Sequence, residues 1–172
     1  MTSYSLSDTY GMFARAEIEA LKKTVRQLPD DSIAIVLGAG PGTTTLAILE
    51  ARDDIVVYSI DIVDSYSERL HATAGKSIDR LHQVRCDSAL AGHSWDQPID
   101  LLLVDAFHTY DAVKADNAAW LPHLKDRGIA WYHDYGTSNE MYAEVKRAVD
   151  EDMARQMKIA QVCSSIAFRR VI

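Results

Sequence analysis

Cysteine is nearly absent: Cys86 and Cys163 are the only two in 172 residues. Two are too few for a disulfide framework, so the fold has to rest on an apolar core and nothing points to an oxidising compartment. Long apolar runs are missing as well. No stretch approaches the roughly 18 residues of a membrane-spanning helix, and the opening "MTSYSLSDTYGMF" has neither the basic start nor the apolar centre of a secretion signal. The expected location is cytoplasmic, with no membrane partner. Cations are scarce too: 18 Lys and Arg stand against 25 Asp and Glu, a net charge of −7. The densest basic clusters are pairs such as those in "LKK" and "FRR". Such a chain repels a phosphate backbone, which argues against nucleic acid as a partner.

What the chain has is alternation. With 48% apolar and 25% charged residues it can build one complete core, and a single domain over residues 1–172 is expected. Residues 10–28 place Ala14, Ile18, Leu21, Val25 and Leu28 on one helical stripe closed by Pro29. This predicts an N-terminal helix that serves as a lid or a homodimer element, ahead of a core over 32–172. Short apolar runs at 33–37, 55–60, 100–104 and 129–132 read as strands, with a weaker one at 81–86. Amphipathic segments at 43–52, 64–74, 110–125 and 139–154 separate them, and Val113, Trp120, Leu121 and Leu124 follow helical spacing. Continuous apolar strands between helices predict an α/β fold, a doubly wound, mostly parallel sheet with helices on both faces. The tail "KIAQVCSSIAFRRVI" has two strand-like halves and is expected to end the sheet as an antiparallel pair.

Ligands of such sheets bind beyond the carboxyl ends of the strands. After the first strand, "VLGAGPGTTT" packs Gly38, Gly40 and Gly42, three of the eight glycines, into five positions before a helix. Glycines there permit a tight turn and a close ligand, and the helix start offers free N–H groups. A cofactor loop and an ordinary strand-to-helix turn both fit. The loop is no P-loop, lacking the Lys, and Thr43 stands where a dinucleotide fingerprint has its last glycine. Asp61 ends the second strand, 21 residues beyond Gly40, where a carboxylate either accepts both ribose hydroxyls or caps the next segment. Asp87 follows the weak strand, facing an adenine amino group or sitting in a surface turn.

These strand ends together resemble the class I S-adenosylmethionine-dependent methyltransferases, over roughly residues 32–172. The resemblance implies a Rossmann-like core. It assigns the methionine end of the cofactor to the loop of Gly38, Ala39, Gly40 and Gly42, the ribose to Asp61 with Ile62, the adenine to Asp87 with Ser88, and adds Asp105 as a further cofactor contact. The acidic residue that the family often carries two positions before the first glycine is Val36 here.

Two further motifs lie at the fourth and fifth strand ends, "VDAFHTYDAVKAD" and "WYHDYG". Neighbouring strands run about 4.8 Å apart, so Asp105 and Asp134 can reach one ion. His133 can join Asp134 only if the chain leaves the strand between them, because consecutive strand residues face opposite ways. Two carboxylates suit Mg²⁺, and an added imidazole moves the preference towards Mn²⁺. His108 has a pKa suited to a general base. Singly, each residue also has an ordinary role as helix cap or core histidine. Jointly, the two motifs resemble the small metal-dependent O-methyltransferases of the methyltransferase family 24 type. That resemblance implies methyl transfer from S-adenosylmethionine to a hydroxyl of a small-molecule acceptor, with Asp105 and His108 catalytic and Asp105, His133 and Asp134 holding a divalent metal. Metal-independent N- or C-methylation, and a non-catalytic nucleoside-binding domain, are the alternatives.

Overall fold

The computed structural model describes residues 13–63, 74–136 and 142–171. Five helices and seven strands alternate along them: α1 (Arg15–Val25), β1 (Ile33–Leu37), α2 (Thr43–Ala51), β2 (Val56–Asp61), β3 (Leu81–Arg85), α3 (Ser88–His93), β4 (Ile99–Val104), α4 (Tyr110–Trp120), β5 (Leu124–Tyr132), α5 (Ala143–Asp152), β6 (Met157–Val162) and β7 (Ser165–Arg169). The expected helical segment at 64–74 falls almost wholly outside the described residues, as do 10–12 and 139–141 of its neighbours.

The strands form one sheet in the order β3-β2-β1-β4-β5-β7-β6. β1 to β5 pair in parallel, and β7 is antiparallel to both β5 and β6. The antiparallel pair at the sheet end is therefore present, with β7 inserted and β6 left at the edge. Composition explains the swap: Ser165 to Phe168 are buried, whereas no residue of β6 is. β3 is the opposite edge and buries only Leu81, which is why its apolar signal is weak.

Side chains of the central strands alternate between two cores. Ala34 and Val36 of β1 point with Leu101, Leu103 and Trp131 towards α1 and α2, and Ile35 and Leu37 point with Leu102, Val104 and Tyr132 towards α4 and α5. Helices on both faces account for strands that are apolar at every position. The α1 stripe buries Ile18, Leu21 and Val25 completely or nearly so, each worth about 1.5–3 kcal/mol. Two sequence expectations fail here. Ala14 lies exposed as the N-cap rather than on the buried stripe, and the helix stops at Val25, its end tightened by Gln27 and Leu28 N–H groups bonding three residues back. Helix α4 also ends sooner than expected. Leu121 starts a 3-10 turn around Pro122, and Leu124 opens β5 instead of extending the helix.

Candidate active site

The parallel ladder continues past the strand ends and ties the loops together. The Gly38 N–H bonds to the Ile60 carbonyl at 2.9 Å, the Asp105 N–H to that of Leu37 at 3.0 Å, and the His133 N–H to that of Val104 at 3.1 Å. The residues following β1, β2, β4 and β5 thus converge on one end of the sheet, where a cavity of about 430 Å³ opens. That volume is in the range of small-molecule sites.

One wall is the glycine loop. Gly38 sits at φ +78° with the Asp105 carbonyl in the space a Cβ would take, and Gly42 caps α2 in the left-handed region at φ +87°. Both conformations are costly for a residue with a Cβ. The Gly40 N–H donates to Asp61 Oδ2 at 2.9 Å, and the Val63 N–H to Asp61 Oδ1 at 2.8 Å. Asp61 lines the cavity and braces the loop at the same time, with lone pairs left over on both oxygens. Ala39, Ile62 and Ser88 also line it. Asp87 does not: it is exposed, and its carboxylate accepts the Leu90 N–H at 2.9 Å as the N-cap of α3. Cys86 and Ser88, on either side, face the cavity instead. Ser88 is held from behind, its hydroxyl donating to buried Asp116 at 2.6 Å and its carbonyl accepting from Trp120 Nε1 at 2.8 Å. Burial pushes the Asp116 carboxyl up to about 6.

Sequence reasoning missed Thr43. Where a dinucleotide fingerprint would place a glycine, its hydroxyl is buried without a hydrogen-bond partner and the residue lines the cavity at the start of α2. Val36 is fully buried in the core on the α1 and α2 side, so no acidic group stands there. Phe13 and Phe107 are further lining residues that no sequence pattern announced.

The acidic end of the cavity gathers the other candidates. His108 Nε2 lies 3.0 Å from Asp134 Oδ2 and 3.5 Å from Asp105 Oδ1. Among the described residues, Asp105, His108 and Asp134 form a three-donor set whose ligand atoms all fall within 4.8 Å of one another. Thr109, not Asp105, caps α4, accepting the Ala112 N–H, so Asp105 and His108 are free of that duty. Asp105 and Asp134, beside the His108 ring, raise its pKa to about 9 against the effect of burial. Burial opposes ionisation of Asp134, but His108 and His133 outweigh it and hold the carboxyl well below the usual range.

The chain does leave the strand before Asp134. β5 ends at Tyr132, and Asp134 adopts φ +57°, a left-handed conformation that Asp tolerates better than most residues. His133 and Asp134 therefore face the same site. His133 lies deeper, its side chain 1% exposed, with Nδ1 at 3.2 Å from Asp105 Oδ1 and 3.1 Å from Asp134 Oδ2, and Nε2 at 3.2 Å from the Ser164 hydroxyl. Both of its nitrogens are thus in use. Burial disfavours its charged form, yet Asp105, Asp134 and Glu17 together lift its pKa to about 11.

A family model described as a methyltransferase domain matches residues 35–135. The chain belongs to that family. The match covers more than half of the sequence and takes in the glycine loop, Asp61, Asp105, His108 and Asp134. Among solved structures, an rRNA methylase from Streptococcus thermophilus is similar at 14% identity and a TM-score of 0.71, covering 94% of this chain and 100% of the other. The O-methyltransferase NovP is similar at 15% identity and a TM-score of 0.69, covering 95% and 83%. SMU.1697c of Streptococcus mutans, solved in complex with SAH, is 16% identical with a TM-score of 0.70 over 93% and 100%. No curated protein sequence matches. The chain thus has the fold of the S-adenosylmethionine-dependent methyltransferases, and no helix among its described residues is long and apolar enough to cross a membrane.

Proposed function

We propose that this methyltransferase domain moves a methyl group from S-adenosylmethionine to a hydroxyl of a small molecule, with His108 as general base and a divalent cation assisting. The observation that carries the reading is the three-donor set of Asp105, His108 and Asp134, whose ligand atoms lie within 4.8 Å of one another and in which the buried His108 Nε2 forms no well-aligned hydrogen bond although Asp134 Oδ2 lies 3.0 Å away. Buried polar atoms are almost always satisfied, and exceptions mark sites that something else completes.

The donor set fits a cation. Asp105 and Asp134 would hold it, and a carboxylate pair suits Mg²⁺ or Mn²⁺, while the His108 ring beside them keeps Nε2 free for a proton. When bound, such an ion supplies Lewis acidity that makes an acceptor hydroxyl easier to deprotonate. His133 is assigned to support, because its two nitrogens already contact Asp105, Asp134 and Ser164. The remaining steps belong to the chain's own groups. Asp61 and the glycine loop would hold the cofactor in the cavity that His108 also lines. The cofactor would supply an electrophilic methyl to the acceptor oxygen and leave as the neutral thioether, and His108 Nε2 would take the hydroxyl proton. Alignment supplies most of the rate.

A small acceptor is favoured over RNA by charge. Among the described residues the cavity lining includes Asp61 and Asp105 but no Lys or Arg, and the whole chain carries −7. A nucleic-acid substrate would face repulsion at both scales. The test is transfer of labelled methyl from S-adenosylmethionine to a panel of hydroxyl-bearing small molecules, with Mg²⁺, with Mn²⁺ and with chelator, and with ribosomal RNA as a separate arm. Labelled ethers formed with cation, and at a much lower residual rate in chelator, are expected. Equal transfer in chelator removes the cation from the reading, and labelled RNA without labelled small molecules overturns the acceptor class.

Thr43 is proposed to hold the cofactor's amino-acid end together with the free N–H groups of α2. Thr43→Val keeps the shape and removes the hydroxyl. Loss of one hydrogen bond costs about 0.5–1.5 kcal/mol, so S-adenosylmethionine binding by calorimetry should weaken by about 2- to 10-fold. Unchanged affinity would show that the hydroxyl faces nothing on the cofactor.

A further inference from the structure

The strongest feature left unused by this reading is a carboxylate. Glu17, in the first turn of α1, is 1% exposed, which is rare for a charged side chain. Its Oε2 accepts the Ala14 N–H at 2.7 Å, closing the start of the helix. Its Oε1 accepts three donors from the β6–β7 turn: the Ser164 N–H at 3.0 Å, the Ser164 hydroxyl at 2.8 Å and the Ser165 hydroxyl at 2.8 Å. Beyond these, Glu17 Oε2 stands 3.8 Å from His133 Nε2. Capping a helix requires no burial, since an exposed glutamate can bond back to the same N–H. What burial adds is contact with the far side of His133.

We infer that Glu17 is a positioning residue for the Asp105, His108 and Asp134 constellation, acting through His133. The geometry is a chain of contacts from the N-terminal helix into the site. Glu17 and Ser164 hold one edge of the His133 ring at Nε2, and Phe13 stacks on its face with centroids 3.8 Å apart. The ring cannot turn, so Nδ1 stays between Asp105 Oδ1 and Asp134 Oδ2. There it bridges two carboxylates that would otherwise repel, and so sets their separation. Outer groups that orient the atoms around a metal typically change its affinity by 10- to 100-fold when removed. Through Ser164 and Ser165 the β6–β7 turn joins the same device, and the Gly136 N–H bonds to the Ser164 carbonyl at 3.1 Å, holding the turn against the loop after Asp134.

The inference rests on the proposed cation site for its effect on affinity, but the positioning itself is a property of the metal-free protein. The test is therefore double, on the full chain. Long-range ¹H–¹⁵N spectra of the imidazoles are recorded without metal for the native protein and Glu17→Gln, and Mn²⁺ and S-adenosylmethionine are each titrated by calorimetry. Glutamine keeps the shape but loses the charge and one acceptor. Expected are displaced His133 and His108 imidazole signals, Mn²⁺ affinity lowered 10- to 100-fold, and S-adenosylmethionine affinity within about twofold of native. Native imidazole signals in the variant overturn the positioning role and leave the proposed function standing. A native protein that binds no Mn²⁺ overturns the cation site, while the metal-free spectra still decide the role of Glu17. Should Glu17→Gln not fold, Ser164→Ala removes one donor to Glu17 and one contact to His133. It is expected to move the same signals and lower Mn²⁺ affinity three- to tenfold, and native spectra there overturn the inference.

Discussion

Replacing His108 by alanine lowers turnover about 10²- to 10⁴-fold, the usual contribution of a positioned general base, and leaves S-adenosylmethionine affinity unchanged. Affinity is spared because the polar contacts of the ring run to Asp134 at 3.0 Å and Asp105 at 3.5 Å, whereas the proposed hold on the cofactor is Asp61 with the glycine loop. The pH dependence follows from the same contacts. Asp105 and Asp134 raise the His108 pKa to about 9, so below that value the ring is protonated and cannot accept a proton. In chelator, residual turnover of the native protein should therefore climb as pH rises towards 9. Positive charge placed on the two carboxylates removes the field that keeps the ring protonated, and the rising limb moves to lower pH. Rate and pH profile of the native protein and His108→Ala check this. A variant with native turnover, or a native profile that falls between pH 7 and 9, would take the base assignment away from His108.

The second large effect concerns the backbone. Gly38→Ala is expected to destabilise the protein by more than about 3 kcal/mol, as steric conflict in a core usually does. A Cβ at residue 38 would come 2.0 Å from the Asp105 carbonyl oxygen and 2.8 Å from the Ala106 Cα. Both are backbone atoms at the end of β4, pinned by the Asp105 N–H bond to Leu37, so they cannot step aside without parting β1 from β4. Gly40→Ala is the control. It too has a positive φ, +46°, but nothing lies within 4 Å of its would-be Cβ, and only the conformational cost of about 1–2 kcal/mol remains. Urea unfolding of the two variants measures the difference. Equal losses would mean that the close approach of Gly38 to Asp105 relaxes at no cost.

Much of this architecture was legible in the chain because local chemistry and tertiary position agree in it. Apolar runs such as "IAIVL" are buried on both faces of the sheet and announce themselves as strands. The glycine loop, Asp61, Asp105 and Asp134 follow such runs, so their convergence came from the rule that strand ends form the site. Legibility fell where local signal and final environment diverge. Asp126 to Gly128 look like a loop and lie inside β5, where the register shifts between Ile99 and Leu101 and Arg127 takes φ +63°. Asp87 occupies a position suited to a ligand and instead caps α3. Helix α3 itself is six residues long and covers Trp120, too short for a helical period to stand out.

The sequence by itself determined the strand ends, and with them Asp105 and His108 three residues apart and Asp134 one strand away, because parallel pairing turns chain order into adjacency. Tertiary structure alone decided how the two histidines divide. The left-handed turn at Asp134 and the contacts beneath it put His133 behind the carboxylates and leave His108 in front. It alone decided the fate of Glu17 as well. In the chain that residue reads as a charge on an amphipathic helix. Its burial is made by Ser164 and Ser165, 147 and 148 positions away, and no local pattern records a contact that exists only once the last hairpin has closed over the first helix.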